Sequence, residues 1–239
     1  MCIRDSRTPL KGDIRLTDSE VRDILALDKK FTRFMLVLNV GGVVDLSPVM
    51  GVRNILLLSQ LGVETGGALA DILLGKANPS GKLTTTWAAF EEYPEMPDFE
   101  DMNETRYREG IYVGYRYFDT FNIKPKYEFG YGLSYTDFDW KVTGASEENG
   151  VITVLTEVTN TGKTAGKEVI QLYYGAPQGK LGKPAKVLGA FKKTSILQPG
   201  ERQILTLKIP VNQMASYDDL GKVCLSLIHI SEPTRHLRI

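Results

Sequence analysis

Apolar positions along the chain change period once, from helical spacing to alternation, and the change divides it in two. Thr17-Asp-Ser-Glu20 is a capping box, in which Thr17 caps a helix and Glu20 reaches back to the cap N–H. Val21, Ile24, Leu25 and Phe31 then recur at helical spacing, which predicts a helix of about three to four turns with one apolar face. Phe34–Val40 is rich in β formers and apolar on both faces, as a parallel strand covered by helices should be, and Gly41-Gly42 ends it. Asn54–Ser59 repeats that pattern. Glu64–Gly75 follows as a second short helix with Leu69, Ile72 and Leu73 on one side and Gly75 as its stop. Strand and helix in alternation predict a parallel sheet. Asn78-Pro-Ser-Gly81 reads as a turn that feeds a strand, with Pro79 fixing φ and Gly81 accepting a positive one.

Beyond Tyr93-Pro94 an acidic stretch runs to Glu104, and an aromatic-rich segment follows from Tyr107 to Tyr135. Tyr and Phe at that density need a surface to pack on, so this is an ordered excursion between domains and not a floppy linker. From Phe138 the period becomes two: Ile152, Val154 and Val158, then Val169, Gln171 and Tyr173, then Leu205, Leu207 and Ile209. Asn160-Thr-Gly162 and Gln198-Pro-Gly200 mark the turns, and strands of this length and spacing predict a β-sandwich.

Composition narrows the chemistry. Lys+Arg and Asp+Glu are equal at 29, so no excess charge draws the chain toward nucleic acid or anionic lipid. No apolar run reaches the length of a membrane span, and the first residues show neither a basic n-region nor an apolar h-region. Residues 1–6 and 224–239 read as adapter-like sequence foreign to the protein. Both cysteines, Cys2 and Cys224, and both histidines, His229 and His236, fall in those ends. The body therefore has no Cys or His, which removes Ser-His-Asp and Cys-His catalysis, disulfides and His- or Cys-based zinc sites.

Six stretches then occur in one order: Leu36–Asp45, Gly62-Val-Glu-Thr-Gly-Gly67, Ala70-Asp71, Asn78-Pro-Ser-Gly-Lys-Leu83, Glu109–Asp119 and Phe129–Thr136. Together they resemble the motif set of glycoside hydrolase family 3, nearest its bacterial β-glucosidase-like members. The resemblance implies a C-terminal portion of such an enzyme, with residues 7–95 as part of a parallel-sheet α/β sandwich domain. It further implies an aromatic-rich interdomain segment at 96–136 and a truncated fibronectin type III-like β-sandwich at 137–223. The N-terminal barrel of the family has no counterpart here.

Retaining hydrolysis of a glycoside needs two carboxyl groups about 5–5.5 Å apart, one as nucleophile and one as acid/base. By resemblance the Asp nucleophile belongs to the barrel and the Glu acid/base to a loop just before Arg7. The expectation is thus that the chain holds no catalytic, cofactor-binding or metal-binding residue. An oligosaccharide or glycoside is the implied substrate of the whole enzyme, and the missing barrel its structural partner. Compartment is left open.

Within the body Glu64 is the best carboxylate candidate, ahead of a helix and beneath glycines, but a structural role binding N–H groups at the helix start is preferred. Glu109 and Asp119 are as well suited to hold Arg108 and Arg116 as to touch sugar. A phosphate loop at Gly62–Gly67 fails on spacing, and Lys82 lies beyond the helix. Tyr107, Tyr112, Tyr115, Tyr117 and Phe118 offer a sugar-stacking platform, yet alternation would place Tyr115 and Tyr117 on one strand face, which favours packing. Val43 stands where the family often has Pro, and Ser59 where it often has an aromatic residue. The resemblance implies further β-domain strands after Tyr217-Asp-Asp-Leu-Gly-Lys222, and the expectation is that the adapter-like tail replaces them and leaves an unpaired sheet edge. The alternative reading is a non-catalytic carbohydrate-binding or adhesion module.

Overall fold

The structure, a computed structural model, describes residues 11–95, 103–104, 106–176, 178 and 181–216, with the backbone alone of 217, 223–224 and 229–230. The ends carrying Cys2 and His236, the side chains of Cys224 and His229, and most of the acidic stretch before Glu104 lie outside these residues. The chain forms two compact units: residues 1–77, 85–108 and 124–128 make the first, and 78–84, 109–123 and 129–239 the second.

In the first unit α1 spans Asp18–Lys30, capped as its sequence predicts: Glu20 N donates to Thr17 Oγ1 and Thr17 N to Glu20 Oε2. Strand β1, Leu36–Leu38, pairs in parallel with β2, Ile55–Leu57. Helix α2, Thr65–Leu73, follows and stops at Gly75, whose φ of 70° explains why glycine stands there. The α/β alternation read from periodicity is therefore present. Covering helices are not, since neither α1 nor α2 buries a residue and Leu25, Phe31, Leu73 and Leu74 stay exposed.

A buried carboxylate holds the loops of this unit together. Asp45 N donates to Ile14 O at 2.7 Å, while its own carboxylate accepts from Ser47 N at 2.9 Å and Phe90 N at 3.3 Å. Arg15 pairs with Glu91 and stacks on Phe90, so three remote segments meet around one side chain. Burial alone would raise the Asp45 carboxyl, but the Ser47 and Phe90 hydrogen bonds and the Arg15 charge outweigh it and hold it below the usual value.

The second unit is a β-sandwich. One sheet is antiparallel in the order β3, β4, β7 (Phe138–Glu148, Val151–Asn160, Arg202–Pro210), and the other carries β5 and β6 (Val169–Gly175, Val187–Lys193). Strand β4 keeps strict alternation, burying Ile152, Val154, Thr156, Val158 and Asn160. Strand β5 departs from the expected parity: Ile170, Leu172 and Tyr174 face the core, not Val169, Gln171 and Tyr173. The reason is that β5 is buried on both faces, so alternation of polarity carries no signal there. Gln171 and Tyr173 are covered by other parts of the same unit. Where an open sheet edge is expected after Lys222, His229–Ile230 pair antiparallel with β5 over two residues.

The expected turn at Asn78–Gly81 is a different object. Gly81 is not in the left-handed region and no strand follows it. Residues 78–84 form an extended strap instead, with Leu83 N donating to Tyr131 O and Gly130 N to Leu83 O, each at 2.8 Å. Asn78 Oδ1 accepts from Ser134 Oγ and Tyr135 N, and its Nδ2 donates to Ala165 O. Lys82 Nζ reaches Gly132 O at 2.7 Å and the buried carboxylate of Glu168 at 2.8 Å.

Asn160, fully buried, completes the clamp. Its Oδ1 accepts from Thr136 Oγ1 and Gly162 N, and its Nδ2 donates to Thr164 O and Leu197 O. Asp has the same shape but no donor, so Asn160→Asp strands two carbonyls and buries a charge beside them. It should lower unfolding stability by about 3 kcal/mol or more, read from urea denaturation. A second outcome concerns pH. Because the Asp45 carboxyl is depressed in the fold, its stabilising contribution is present above the unfolded carboxylate value, about 4, and is lost as pH falls through the lower folded value. The gap in urea midpoint between wild type and Asp45→Asn should therefore be full at neutral pH and close in acid.

Candidate functional site

Ligands of open parallel sheets gather outside the carboxyl ends of the strands. Here those ends are Asn39–Gly42 after β1 and Leu58–Glu64 after β2, held in step by Leu58 N donating to Leu38 O at 2.8 Å. Ser59 sits at φ 55°, a conformation that costs a non-glycine residue about 1 kcal/mol or more and turns the chain sharply out of the strand. Gln60 folds over the glycine pair: a Cβ on Gly41 would stand 3.1 Å from Gln60 Nε2. Beyond it Leu61 is 53% and Val63 101% exposed. The result is an apolar lip at the mouth of the strands.

Glu64 heads α2 from this lip, and the structural role expected of it changes. Its carboxylate makes no capping hydrogen bond to the helix start, so it is not the N–H binder expected. The preceding turn is closed instead by Thr65, whose N and Oγ1 both donate to Gly62 O. The carboxylate is exposed and stands 3.5 Å from where a Gly67 Cβ would lie, an ordinary contact distance. Gly66 and Gly67 are helical residues of α2 and do not form a phosphate nest. Lys82, the distant cation weighed with them, is consumed by Glu168 and Gly132 in the second unit.

The aromatic segment resolves as packing within the second unit. Tyr115 and Tyr117 do not share a strand face; they belong to α3, Tyr115–Thr120, which starts at Gly114 with φ 59°. Tyr115 lies 4.9 Å from Phe129 and 5.8 Å, edge on, from Tyr173 between ring centroids, and its hydroxyl accepts from Leu188 N at 2.8 Å. Tyr117 packs on Phe118 and Phe121, Tyr112 on Phe121, and Phe118 is fully buried. Asp119 pairs with Lys186 at 3.2 Å, and Lys186 also lies over the Tyr173 ring. One oxygen of Glu109 is shielded and has no hydrogen-bond partner among the described residues. Tyr107, in the first unit, is the member of the run that is 78% exposed.

Among the groups with shifted ionisation, Asp45 and Tyr93 escaped the sequence reading. The signal for Asp45 was present in Asp45-Leu-Ser-Pro48, where an Asp side chain accepting from the N–H two residues on is a common turn. Tyr93 is pushed up to about 12 by burial, with the Asp45 and Glu92 charges adding to it. Its hydroxyl donates to Thr86 O and accepts from Ala88 N. Both groups are spent on backbone and neither projects from the lip. Among the described residues no cluster of three or more His, Cys, Asp or Glu is placed to hold a metal.

The sequence profile of the glycosyl hydrolase family 3 C-terminal domain matches residues 10–135, and that of the fibronectin type III-like domain matches 168–226. The chain is 49% identical over 235 residues to β-glucosidase A of Butyrivibrio fibrisolvens, covering 89% of this chain and 28% of that protein. A β-glucosidase of Ruminococcus albus is 40% identical, with 88% and 22% covered. Among solved structures, a β-glucosidase from Paenibacillus barengoltzii superposes with a TM-score of 0.84 at 47% identity, covering 90% of this chain and 24% of that one. β-glucosidase 3B of Thermotoga neapolitana, in complex with glucose, gives 0.82 at 42%, with 89% and 31% covered. The chain thus spans roughly a quarter of the length of these two curated relatives. It belongs to glycosyl hydrolase family 3, as the family's C-terminal domain followed by a fibronectin type III-like domain.

Proposed function

We propose that this chain is the C-terminal portion of a retaining β-glucosidase-like enzyme that removes terminal β-linked glucosyl residues from oligosaccharides or glycosides, and that it contains neither catalytic carboxylate. The observation that carries this reading is the unfinished first unit: a two-stranded parallel sheet flanked by α1 and α2, neither of which buries a side chain. An isolated two-stranded sheet is marginal in water, and amphipathic helices gain their stability by covering something. The N-terminal barrel and the rest of the α/β sandwich are the proposed cover.

In that arrangement the chain's own residues provide scaffold and a wall. The glycine pair Gly41-Gly42 keeps the strand ends low, Ser59 directs the following loop outward, and Leu61 and Val63 present apolar surface. Such surface suits the aglycone or the less polar face of a sugar ring, and it excludes water from the reaction. Glu64 is an exposed carboxylate at the head of α2, and no catalytic role is assigned to it. The carbohydrate-binding alternative loses support because Tyr115, Tyr117 and Phe118 are spent on packing.

Purified chain should release no p-nitrophenol from its β-glucoside above buffer, while the same chain fused in frame behind its genomic upstream region should do so. An unrelated gene upstream, or turnover by the chain alone, would overturn the proposal. In the full-length enzyme Val63→Asp should raise KM for aryl or oligosaccharide substrates by about fivefold with little change in kcat, measured by steady-state kinetics, since the loss is one of uniform binding.

A further inference from the structure

The chain contains one Asn-Gly pair, Asn149-Gly150, and it forms the turn between β3 and β4. The register pairs Glu148 with Val151, which leaves a two-residue loop, and both loop residues have positive φ, 53° and 74°. This is a primed hairpin turn, for which Asn-Gly is the preferred sequence. Both residues are exposed. Asn followed by Gly is also the pair in which a backbone nitrogen meets least steric hindrance in attacking the preceding side-chain amide.

We propose that Asn149 is a latent site of spontaneous deamidation, restrained by the hydrogen bond from Gly150 N–H to the Glu147 carboxylate. In the reaction the Gly150 nitrogen loses its proton and bonds to Asn149 Cγ, and the side-chain nitrogen takes up a proton and leaves as ammonia. Water then opens the five-membered imide at either carbonyl, giving aspartate or isoaspartate; the net change is addition of water and loss of ammonia. The nucleophile is the very N–H that Glu147 Oε1 accepts at 2.9 Å. An anionic acceptor stabilises the protonated nitrogen and keeps the turn closed. Gly150 is held from its other side as well, its carbonyl accepting from Val211 N at 2.8 Å.

The consequence falls on the sandwich. Isoaspartate inserts an extra backbone methylene into a two-residue loop whose length fixes the β3–β4 register, and β4 is the central strand of its sheet. Either product also adds a carboxylate beside Glu147 and Glu148.

The test is to age the folded chain at mildly alkaline pH, digest it with trypsin and quantify the isoaspartate and aspartate forms of the peptide 142–163 by mass spectrometry. Glu147→Ala should raise the rate by roughly fivefold or more, Glu147→Gln should fall between it and wild type, and the free peptide should react fastest. Thermal melts of both variants establish that the comparison is between folded proteins. An unchanged or slower rate in Glu147→Ala would overturn the proposal, since a slower one would make the carboxylate a base and not a restraint. No product in the free peptide would overturn it as well.

Discussion

Two side-chain amides hold the second unit where backbone pairing runs out. At the end of β4 the chain leaves the ladder, and its polar groups must find partners away from water. Asn160 meets that demand with two acceptors and two donors in one buried group, joining Thr136, Gly162, Thr164 and Leu197. Asn78 repeats the device nearby in the same unit, joining Ser134, Tyr135 and Ala165. The glycines around them follow from the same constraint. A Cβ on Gly162 would overlap Thr136 Oγ1, and one on Gly166 would stand 2.6 Å from Asn78 Nδ2. The strap 78–84, the aromatic helix α3 and the sandwich are therefore one packed body, and the family motifs Asn78–Leu83 and Phe129–Thr136 are its joints.

The first unit is organised by a different balance. Asp45 and Tyr93 satisfy backbone groups and Arg15 pairs with Glu91, around the buried side chains of Val44, Leu46 and Val49. Neither helix buries a side chain against it, and Leu61 and Val63 at the strand mouth stay exposed. Leu25, Phe31, Leu73 and Leu74, on the helices and their C-caps, are exposed as well.

Local chemistry was legible from sequence. The Thr17–Glu20 capping box, the stop at Gly75 and the alternation of β4 each depend on residues within a few positions of one another or on one-sided burial, and periodicity reports both. Family membership was equally legible, because six motifs stand in one order along the chain.

What the sequence left open was decided by contacts distant along the chain. The parity of β5 was hidden because both of its faces are covered. Tyr115 and Tyr117 became helical once Gly114 supplied a positive φ and Tyr173 and Phe129 supplied a surface for packing. Asn78 changed from a turn former to a clamp because Ser134, Tyr135 and Ala165 lie 56 or more residues away and come to it only in the fold. Periodicity and capping record the preferences of a short segment for helix, strand or turn. Which face is covered, and by what, is a property of the folded chain, and only the tertiary structure determines it.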